Sequence, residues 1–243
     1  AGCPGTSVLK ALGLIGRSGG NPFTPNPSKR ILGHPRPTDA NVAREWESIR
    51  QSSPEDAVRE HEETLGIPAG GLVKLAVAWS VALGALAAPM YAAICGPTIG
   101  VRLRADDGRK WAVTGSQNGL FIPRDFTGYG PLYIPEGLTD TAAMVGLGLD
   151  AIGRPSCSGG REFVRSVIRH TKRRVVIVTD ADDPGRRGAD LLASELAKDG
   201  ARGVKVLAPP PGMKDIREFV KSGASKATIE FLERNTAPWR ANA

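Results

Sequence analysis

One stretch of the chain, VVIVTDADDPGRRGADLL over residues 175–192, restricts the possible folds more than any other. Its first four residues, Val175–Val178, are apolar and β-branched, a run typical of a strand buried on both faces. Three acids, Asp180, Asp182 and Asp183, follow almost at once, and a helical pattern of apolar residues follows them. A buried strand that leads directly into a helix indicates a parallel α/β sheet.

The same alternation of strands and helices extends to both sides of this stretch. The segment over residues 131–156 predicts a strand, a turn, a helix and a short strand around Ala151 and Ile152. An amphipathic helix follows in GREFVRSVIRHTKRR, and after residue 192 come a strand in VKVLAP and helices in DIREFVKSG and ATIEFLERN. We therefore predict an α/β fold with a parallel sheet flanked by helices.

The region before residue 130 has a different pattern. TDANVAREWESIRQ and SPEDAVREHEETLG predict two helices. TIGVRLRADDGRKWAVTGS predicts a β-hairpin, because two alternating segments flank an Asp-Asp-Gly turn. The basic residues of this hairpin are Arg102, Arg104, Arg109 and Lys110. We expect a smaller mixed α+β subdomain with a basic hairpin ahead of the parallel sheet.

These patterns divide the chain into four segments. Residues 1–60 begin with a stretch rich in Gly, Pro, Ser and Asn and predict a flexible N-terminal arm followed by helices. We assign residues 61–129 to the subdomain with the hairpin, residues 130–223 to the α/β domain and residues 224–243 to a C-terminal helix and tail. A start at Ala1 rather than Met is compatible with a fragment of a longer protein.

Composition limits the class of protein. The 243 residues carry a formal net charge of +7, which suits a polyanionic partner such as nucleic acid. The three cysteines are far apart and form no Cys-x-x-Cys pair, so we recognise no zinc site. The uncharged stretch Leu75–Cys95 is long enough to span a membrane, but it is rich in Ala, and we interpret it as a buried loop and strand. We expect a cytoplasmic protein without a membrane partner, associated with a nucleoid or a viral or mobile replicon.

Acidic side chains stand at the ends of two predicted strands. Glu136 follows the strand in LYIP, and Asp180 and Asp182 follow VVIV. We expect these three to converge if the two strands are neighbours, whereas Asp183 points elsewhere. Convergent carboxylates repel one another unless a proton or a cation lies between them. Oxygen ligands without Cys or His favour Mg²⁺ or Mn²⁺. Helix N-caps and turns also select aspartate, so the Asp-x-Asp pair alone is a weak signal.

Two of these motifs resemble the Toprim domain of topoisomerases, DnaG-type primases, OLD-family nucleases and RecR-type repair proteins. They are PEGLTD, a strand-end Glu-Gly, and TDADDPGRRG, a strand-end Asp-x-Asp. The resemblance covers residues 130–223 and implies a Toprim-type parallel sheet. It also implies that Asp180 and Asp182 bind Mg²⁺, and that Glu136 binds metal or acts as an acid or base.

The flanking segments are similar to the catalytic core of DnaG-type primases. The predicted hairpin looks like a primase hairpin, which implies that Arg104 and Lys110 hold nucleotide or template phosphates. Asp140 matches an acid four residues after the Toprim Glu, and Asp215 matches the first acid of a later primase motif, which implies further metal ligands. The second acid of that later motif is replaced by Arg217, which puts a third metal position in doubt.

Three other basic residues are candidates for nucleic-acid contact. Arg102 precedes Arg104 on the same hairpin strand, and such cations can track a phosphate backbone. Arg186 opens a helix, where a cation is unfavourable unless an anion lies nearby, so its position suggests a phosphate contact. Lys214 is a weaker candidate of the same kind.

The resemblance implies a divergent DNA primase catalytic core, with a phage or mobile element as its source. Such a nucleotidyltransferase joins nucleoside triphosphates into short RNA primers on a single-stranded DNA template, with Mg²⁺ or Mn²⁺ as cofactor and a replicative helicase or helicase domain as a partner. Two alternatives remain open. One is a Toprim nuclease that cuts DNA with the same acids, and the other is a non-catalytic nucleic-acid-binding module of a helicase-primase.

Overall fold

Two β-sheets, one antiparallel and one parallel, organise the fold. The computed structural model describes residues 37–54, 56–126, 128–169 and 171–241, so most of the predicted N-terminal arm lies outside the described residues. The helices are α1 (Pro37–Ser52), α2 (Ala57–Leu65), α3 (Gly71–Lys74), α4 (Leu138–Gly146), α5 (Arg161–Ile168), α6 (Asp183–Lys198), α7 (Ile216–Lys221) and α8 (Lys226–Asn235). The strands are β1 (Ala78–Ser80), β2 (Ala85–Tyr91), β3 (Thr98–Ala105), β4 (Lys110–Ala112), β5 (Leu132–Ile134), β6 (Val175–Val178) and β7 (Lys205–Leu207).

The antiparallel sheet has the strand order β1-β2-β3-β4. Strands β3 and β4 form the predicted basic hairpin, and Gly108 in its turn has a φ of +87°. Helix α1 packs on this sheet through Val42, Trp46 and Ile49, which are all buried, as their common helical face predicts. The mixed α+β region with a hairpin is thus confirmed.

The long uncharged stretch forms part of this sheet. It contains β1 and β2, and every residue of β2 except Tyr91 is buried. Its apolar character therefore serves the core of the fold, as predicted. Within the described part of the chain, none of the helices has the length and apolar character needed to cross a bilayer.

The parallel sheet has the order β5-β6-β7, with Leu132 paired to Val175 and Val176 paired to Lys205. Residues 151–154 lie along the free edge of β5 and pair with it through single bridges. The predicted parallel sheet is confirmed. Because β5 and β6 are neighbours and run in the same direction, the chain segments that follow their carboxyl ends emerge side by side.

Side chains of β6 alternate between the two faces of the parallel sheet. Val175 and Ile177 pack with α5 and α6, whereas Val176 and Val178 pack with α4, α7 and α8. All four residues of β6 are buried. Helices therefore cover both faces, and the edge at the carboxyl ends of the strands stays available for polar groups.

Candidate active site

Glu136 lies two residues beyond the end of β5. The next residue, Gly137, has a φ of +82°, a backbone conformation that glycine adopts readily, and it leads directly into α4. The Gly137 N–H donates to the carbonyl oxygen of Arg154 at 2.7 Å, which fixes this turn to the segment 151–154 along the edge of β5. The Oε2 atom of Glu136 is buried and finds no hydrogen-bond partner among the described residues. A carboxylate held in this way is suited to bind a cation.

Asp180 and Asp182 lie in the turn between β6 and α6. Asp182 is the N-cap of α6, and its Oδ1 atom accepts the Gly185 N–H at 2.7 Å. A Cβ atom at residue 185 would lie 2.9 Å from that oxygen, so this close turn requires glycine. The Ala181 N–H donates to the carbonyl oxygen of Lys214 at 2.8 Å, which ties the turn to the loop before α7. Asp182 therefore has a structural role as a helix cap, whatever else it binds.

Asp183 points away from the other acids, as predicted. Its side chain is 73% exposed, and its Oδ1 atom lies 2.6 Å from a guanidinium nitrogen of Arg186. Arg186 also donates to the carbonyl oxygen of Ala181. The helix-opening cation that suggested a phosphate contact thus already has an anionic partner in Asp183, which removes much of the reason for that prediction.

The acids at the two strand ends influence one another strongly. Burial raises the pKa of Asp180 to about 6, and repulsion from Glu136, Asp215 and Asp182 adds to the effect. Burial also raises the pKa of Glu136, with repulsion from Asp182 adding to it and the positive charge of Arg154 opposing it. The sheet therefore brings Glu136, Asp180 and Asp182 into one electrostatic site.

A second pair of acids, Asp140 and Asp215, adjoins this site. The Oδ1 atom of Asp140 accepts the Arg217 N–H at 3.0 Å, and Asp215 is the N-cap of α7, where it accepts the Glu218 N–H at 2.7 Å. Burial raises the pKa of Asp140 to about 8, and repulsion from Asp215 contributes after burial. Asp140 is therefore largely protonated at pH 7 unless a cation lies beside it.

The carboxylates of this site are suitable ligands for a divalent cation, although they do not form a complete set of metal ligands in this structure. In the described ranges, no three Asp, Glu, His or Cys side chains are grouped closely enough to hold a metal ion together. Two of the acids, Asp182 and Asp215, use carboxylate oxygens to cap helices. These side chains nevertheless offer hard oxygen donors, which Mg²⁺ and Mn²⁺ prefer. Their mutual repulsion and the unpartnered Oε2 atom of Glu136 also favour a bound cation.

The basic hairpin lies beside the acids. Arg104 pairs with Lys110 across the hairpin and alternates with Arg102 along β3, so the three side chains share one face of the sheet. All three line a narrow cleft that Gly137 also lines. Lys110 is close enough to the acidic site to oppose the rise in the pKa of Glu136. The three basic side chains thus line a cleft next to the Glu136–Gly137 turn, and the charge of Lys110 reaches Glu136 and Asp180.

The remaining basic candidate, Lys214, is exposed and lies in the loop that is tied to the Asp180–Asp182 turn. Its backbone N–H donates to a carboxylate oxygen of Glu218 at 2.6 Å, while its side chain is free to reach solvent or a ligand near the acids. The loop geometry therefore keeps Lys214 at the edge of the candidate site.

Two arginines that sequence reasoning left without a role belong to this site. Arg154 is fully buried next to Glu136, and Arg217 lies with one guanidinium nitrogen 3.7 Å from the carboxylate of Asp215. Arg217 also donates to the carbonyl oxygen of Leu65 at 3.0 Å. The sequence does contain a signal for Arg154. It is a charged residue two positions after Ile152, at the end of a short apolar strand that the structure places beside Glu136.

Comparisons with known proteins find similarity of structure but not of sequence. No protein-family model matches the sequence, and no significant relative is found among the curated proteins. The zinc-binding and RNA polymerase domains of Aquifex aeolicus primase superpose with a TM-score of 0.65 at 16% identity, over 82% of this chain and 62% of that one.

Two further solved structures extend this similarity. A DnaG primase catalytic domain bound to single-stranded DNA has a TM-score of 0.62 at 16% identity, over 83% of each chain. Primase domains of bacteriophage T7, in a complex with a lagging-strand polymerase, an RNA/DNA hybrid and dTTP, have a TM-score of 0.54 at 18% identity, over 73% of this chain and 91% of that one. The protein therefore has the mixed α/β fold of a DnaG-type primase catalytic core, in a divergent sequence.

Proposed function

We propose that the protein is a DNA primase catalytic core, a nucleotidyltransferase that joins nucleoside triphosphates into short RNA primers on a single-stranded DNA template. One observation carries the proposal. In a fold similar to that of primase cores, the acids after β5 and β6 interact with one another and with Lys110 of the basic hairpin, whose cleft borders the Glu136–Gly137 turn. Template-dependent incorporation of labelled nucleotides by the purified chain tests it directly.

The acidic side chains would hold the catalytic metal. Glu136, Asp180 and Asp182 are the proposed ligands and the proposed catalytic residues, and Asp140 and Asp215 are the proposed ligands of an adjoining position. Mg²⁺ or Mn²⁺ held by these residues would lower the pKa of an attacking hydroxyl and stabilise the charge of a leaving pyrophosphate. The helix caps at Asp182 and Asp215 fix these two side chains at the N-termini of α6 and α7.

The basic side chains would position the substrates. Arg102, Arg104 and Lys110 share one face of the hairpin, so they can contact consecutive phosphates of a template strand or the phosphates of an incoming nucleotide. Lys214, in the loop tied to the Asp180–Asp182 turn, is a further candidate for phosphate contact. Arg186 is a weaker candidate for phosphate contact, because Asp183 already balances its charge.

The proposed partners follow from the same arrangement. They are single-stranded DNA, nucleoside triphosphates and a replicative helicase or helicase domain. Two of the similar structures contain single-stranded DNA or an RNA/DNA hybrid, which supports the nucleic-acid part of this proposal. We further propose that residues 130–223 form a Toprim domain and that residues 61–129 supply the hairpin.

Removing the hairpin charges should weaken nucleic-acid binding in a way that depends on salt. We expect Arg104→Ala and Lys110→Ala each to reduce affinity for single-stranded DNA or nucleotide several-fold at low ionic strength, because each loses one phosphate contact. The slope of log affinity against log salt concentration should fall by about 0.7 per lost contact with a single strand. Fluorescence anisotropy over a range of salt concentrations measures both quantities.

Lys198→Ala is the matched control for this experiment. Lys198 is an exposed lysine at the far end of α6, roughly 24 Å along the helix from the acidic turn, at 1.5 Å per residue. Its loss removes the same charge but should leave affinity and slope within error of the parent. If the hairpin variants behaved like Lys198→Ala, the hairpin would be an ordinary solvated surface.

A further inference from the structure

Arg154 has an unusual environment for an arginine. Its relative solvent exposure is 0%, and it is the largest of the fully buried side chains. One guanidinium nitrogen, Nη1, donates to the carbonyl oxygen of Cys157 at 2.9 Å. The other two, Nε and Nη2, have no hydrogen-bond partner in the described part of the chain. A buried guanidinium is rarely retained without an anion nearby.

Glu136 is the acid whose charge does most to stabilise this guanidinium. A parallel bridge pairs Glu136, two residues after β5, with Arg154 in the segment 151–154 along the edge of that strand. Their side chains therefore leave the sheet on the same face. Glu136 Oε2 lacks a partner just as Arg154 Nε and Nη2 do. Each charge stabilises the other, and Asp180 also stabilises the positive charge of Arg154. Unsatisfied donors and an unsatisfied acceptor therefore lie in one enclosed place.

We propose that Arg154 is a built-in counter-ion of the acidic site, a positioning residue whose buried guanidinium offsets the charge of Glu136 inside the fold before a divalent cation binds. The inference rests on the proposed function, because that function makes Glu136 a metal ligand. Without Arg154, the mutually repelling carboxylates of Glu136, Asp180 and Asp182 would lose the cation that acts most strongly on Glu136, and the exposed Lys110 has a smaller effect there.

A purely structural role would be different. Arg154 also joins the loop at Cys157 to the end of the edge segment through the 2.9 Å hydrogen bond. If this bond were its whole contribution, the stability lost on replacing Arg154 would not depend on the charge of residue 136. Dependence on that charge therefore separates a counter-ion from a loop anchor.

A double-mutant cycle in thermal unfolding, with EDTA present, measures this dependence. We expect Arg154→Met to lower Tm by about 10 °C, because it leaves Glu136 buried without its cation. Glu136→Gln should cost less, because Asp180 remains to offset the charge of Arg154. The double variant should be at least as stable as Arg154→Met alone. Losses that simply add in the double variant would overturn the inference.

Arg165→Met is the matched control, since Arg165 pairs with Asp199 at 2.7 Å on a partly exposed surface. Its effect and that of Glu136→Gln should add, because the two sites share no partner. If Arg154→Met does not fold, the double variant decides: a folded double variant supports the counter-ion, and an unfolded one overturns it.

Added Mn²⁺ separates this inference from the proposed function. We expect Mn²⁺ to raise the Tm of Arg154→Met by more than that of the parent, because the ion supplies the missing positive charge. Equal shifts in the two proteins would overturn the counter-ion role while leaving the metal site standing. No shift in the parent would overturn the proposed metal site, whereas the result in EDTA would still decide whether Arg154 and Glu136 are coupled.

Discussion

Replacing Asp180 and Asp182 together by asparagine is expected to abolish nucleotide incorporation, with a loss of about a thousandfold or more, equivalent to about 4 kcal/mol of transition-state stabilisation. Both acids lie in the turn after β6, beside Glu136, and asparagine removes their charges without removing their volume. Steady-state incorporation of labelled nucleotides on single-stranded DNA, with saturating Mg²⁺ or Mn²⁺, measures the loss.

The fold should survive this double substitution. Asparagine at residue 182 can still accept the Gly185 N–H as an N-cap, and removal of the repulsion that raises the pKa of Asp180 favours the folded state. We therefore expect an unchanged or higher Tm in EDTA. Asp199→Asn, at the other end of α6, is the control and should keep its activity. Full incorporation by the double variant would contradict the assignment of these two acids to the metal.

Asp140→Asn is expected to raise stability at pH 8 in EDTA by on the order of 5–10 °C. Burial and Asp215 raise the pKa of Asp140 from 3.8 to about 8, so the folded chain keeps a proton that the unfolded chain releases. Below pH 4 both states are protonated and this effect is absent. Between pH 4 and pH 8 stability falls as the pH rises, because ionisation then favours the unfolded chain. Asparagine cannot ionise and escapes this loss.

Thermal unfolding of the parent and of Asp140→Asn at several pH values measures the effect. The gap in Tm should open as the pH rises from 4 to 8 and stay constant above that range. Asp199→Asn supplies a control of opposite sign, because a hydrogen bond from Arg165 lowers the pKa of Asp199. A constant gap at every pH would mean that Asp140 titrates normally.

Periodicity in the sequence was sufficient to predict most of the fold. Val175–Val178 is buried on both faces of the sheet, and the helical stripe of Val42, Trp46 and Ile49 is buried on the other sheet, because each pattern has the repeat of its element. The hairpin was predictable from its turn residues. These features depend on a few neighbouring residues, which is why a single sequence reveals them.

The acidic site was predictable in outline but not in detail. Parallel strands bring Glu136 close to Asp180 for a topological reason that the order of the elements already contains. The capping bond of Asp182 and the ion pair between Arg186 and Asp183 depend on side-chain rotamers at the start of α6. The burial of Arg154 depends on pairing between segments far apart in sequence, which no local pattern reports.

Primer synthesis by this chain is tested most directly by combining it with single-stranded DNA, labelled nucleoside triphosphates and either Mg²⁺ or Mn²⁺. New oligonucleotides and cleaved template are resolved in the same reaction, with and without a preformed primer. We predict weak but detectable incorporation, greater with Mn²⁺, whose coordination is less demanding, and greater with a primer, since initiation must order two nucleotides at once. Metal-dependent cleavage of DNA without incorporation would contradict the account in favour of a nuclease, and neither activity with either ion would contradict it in favour of a binding module.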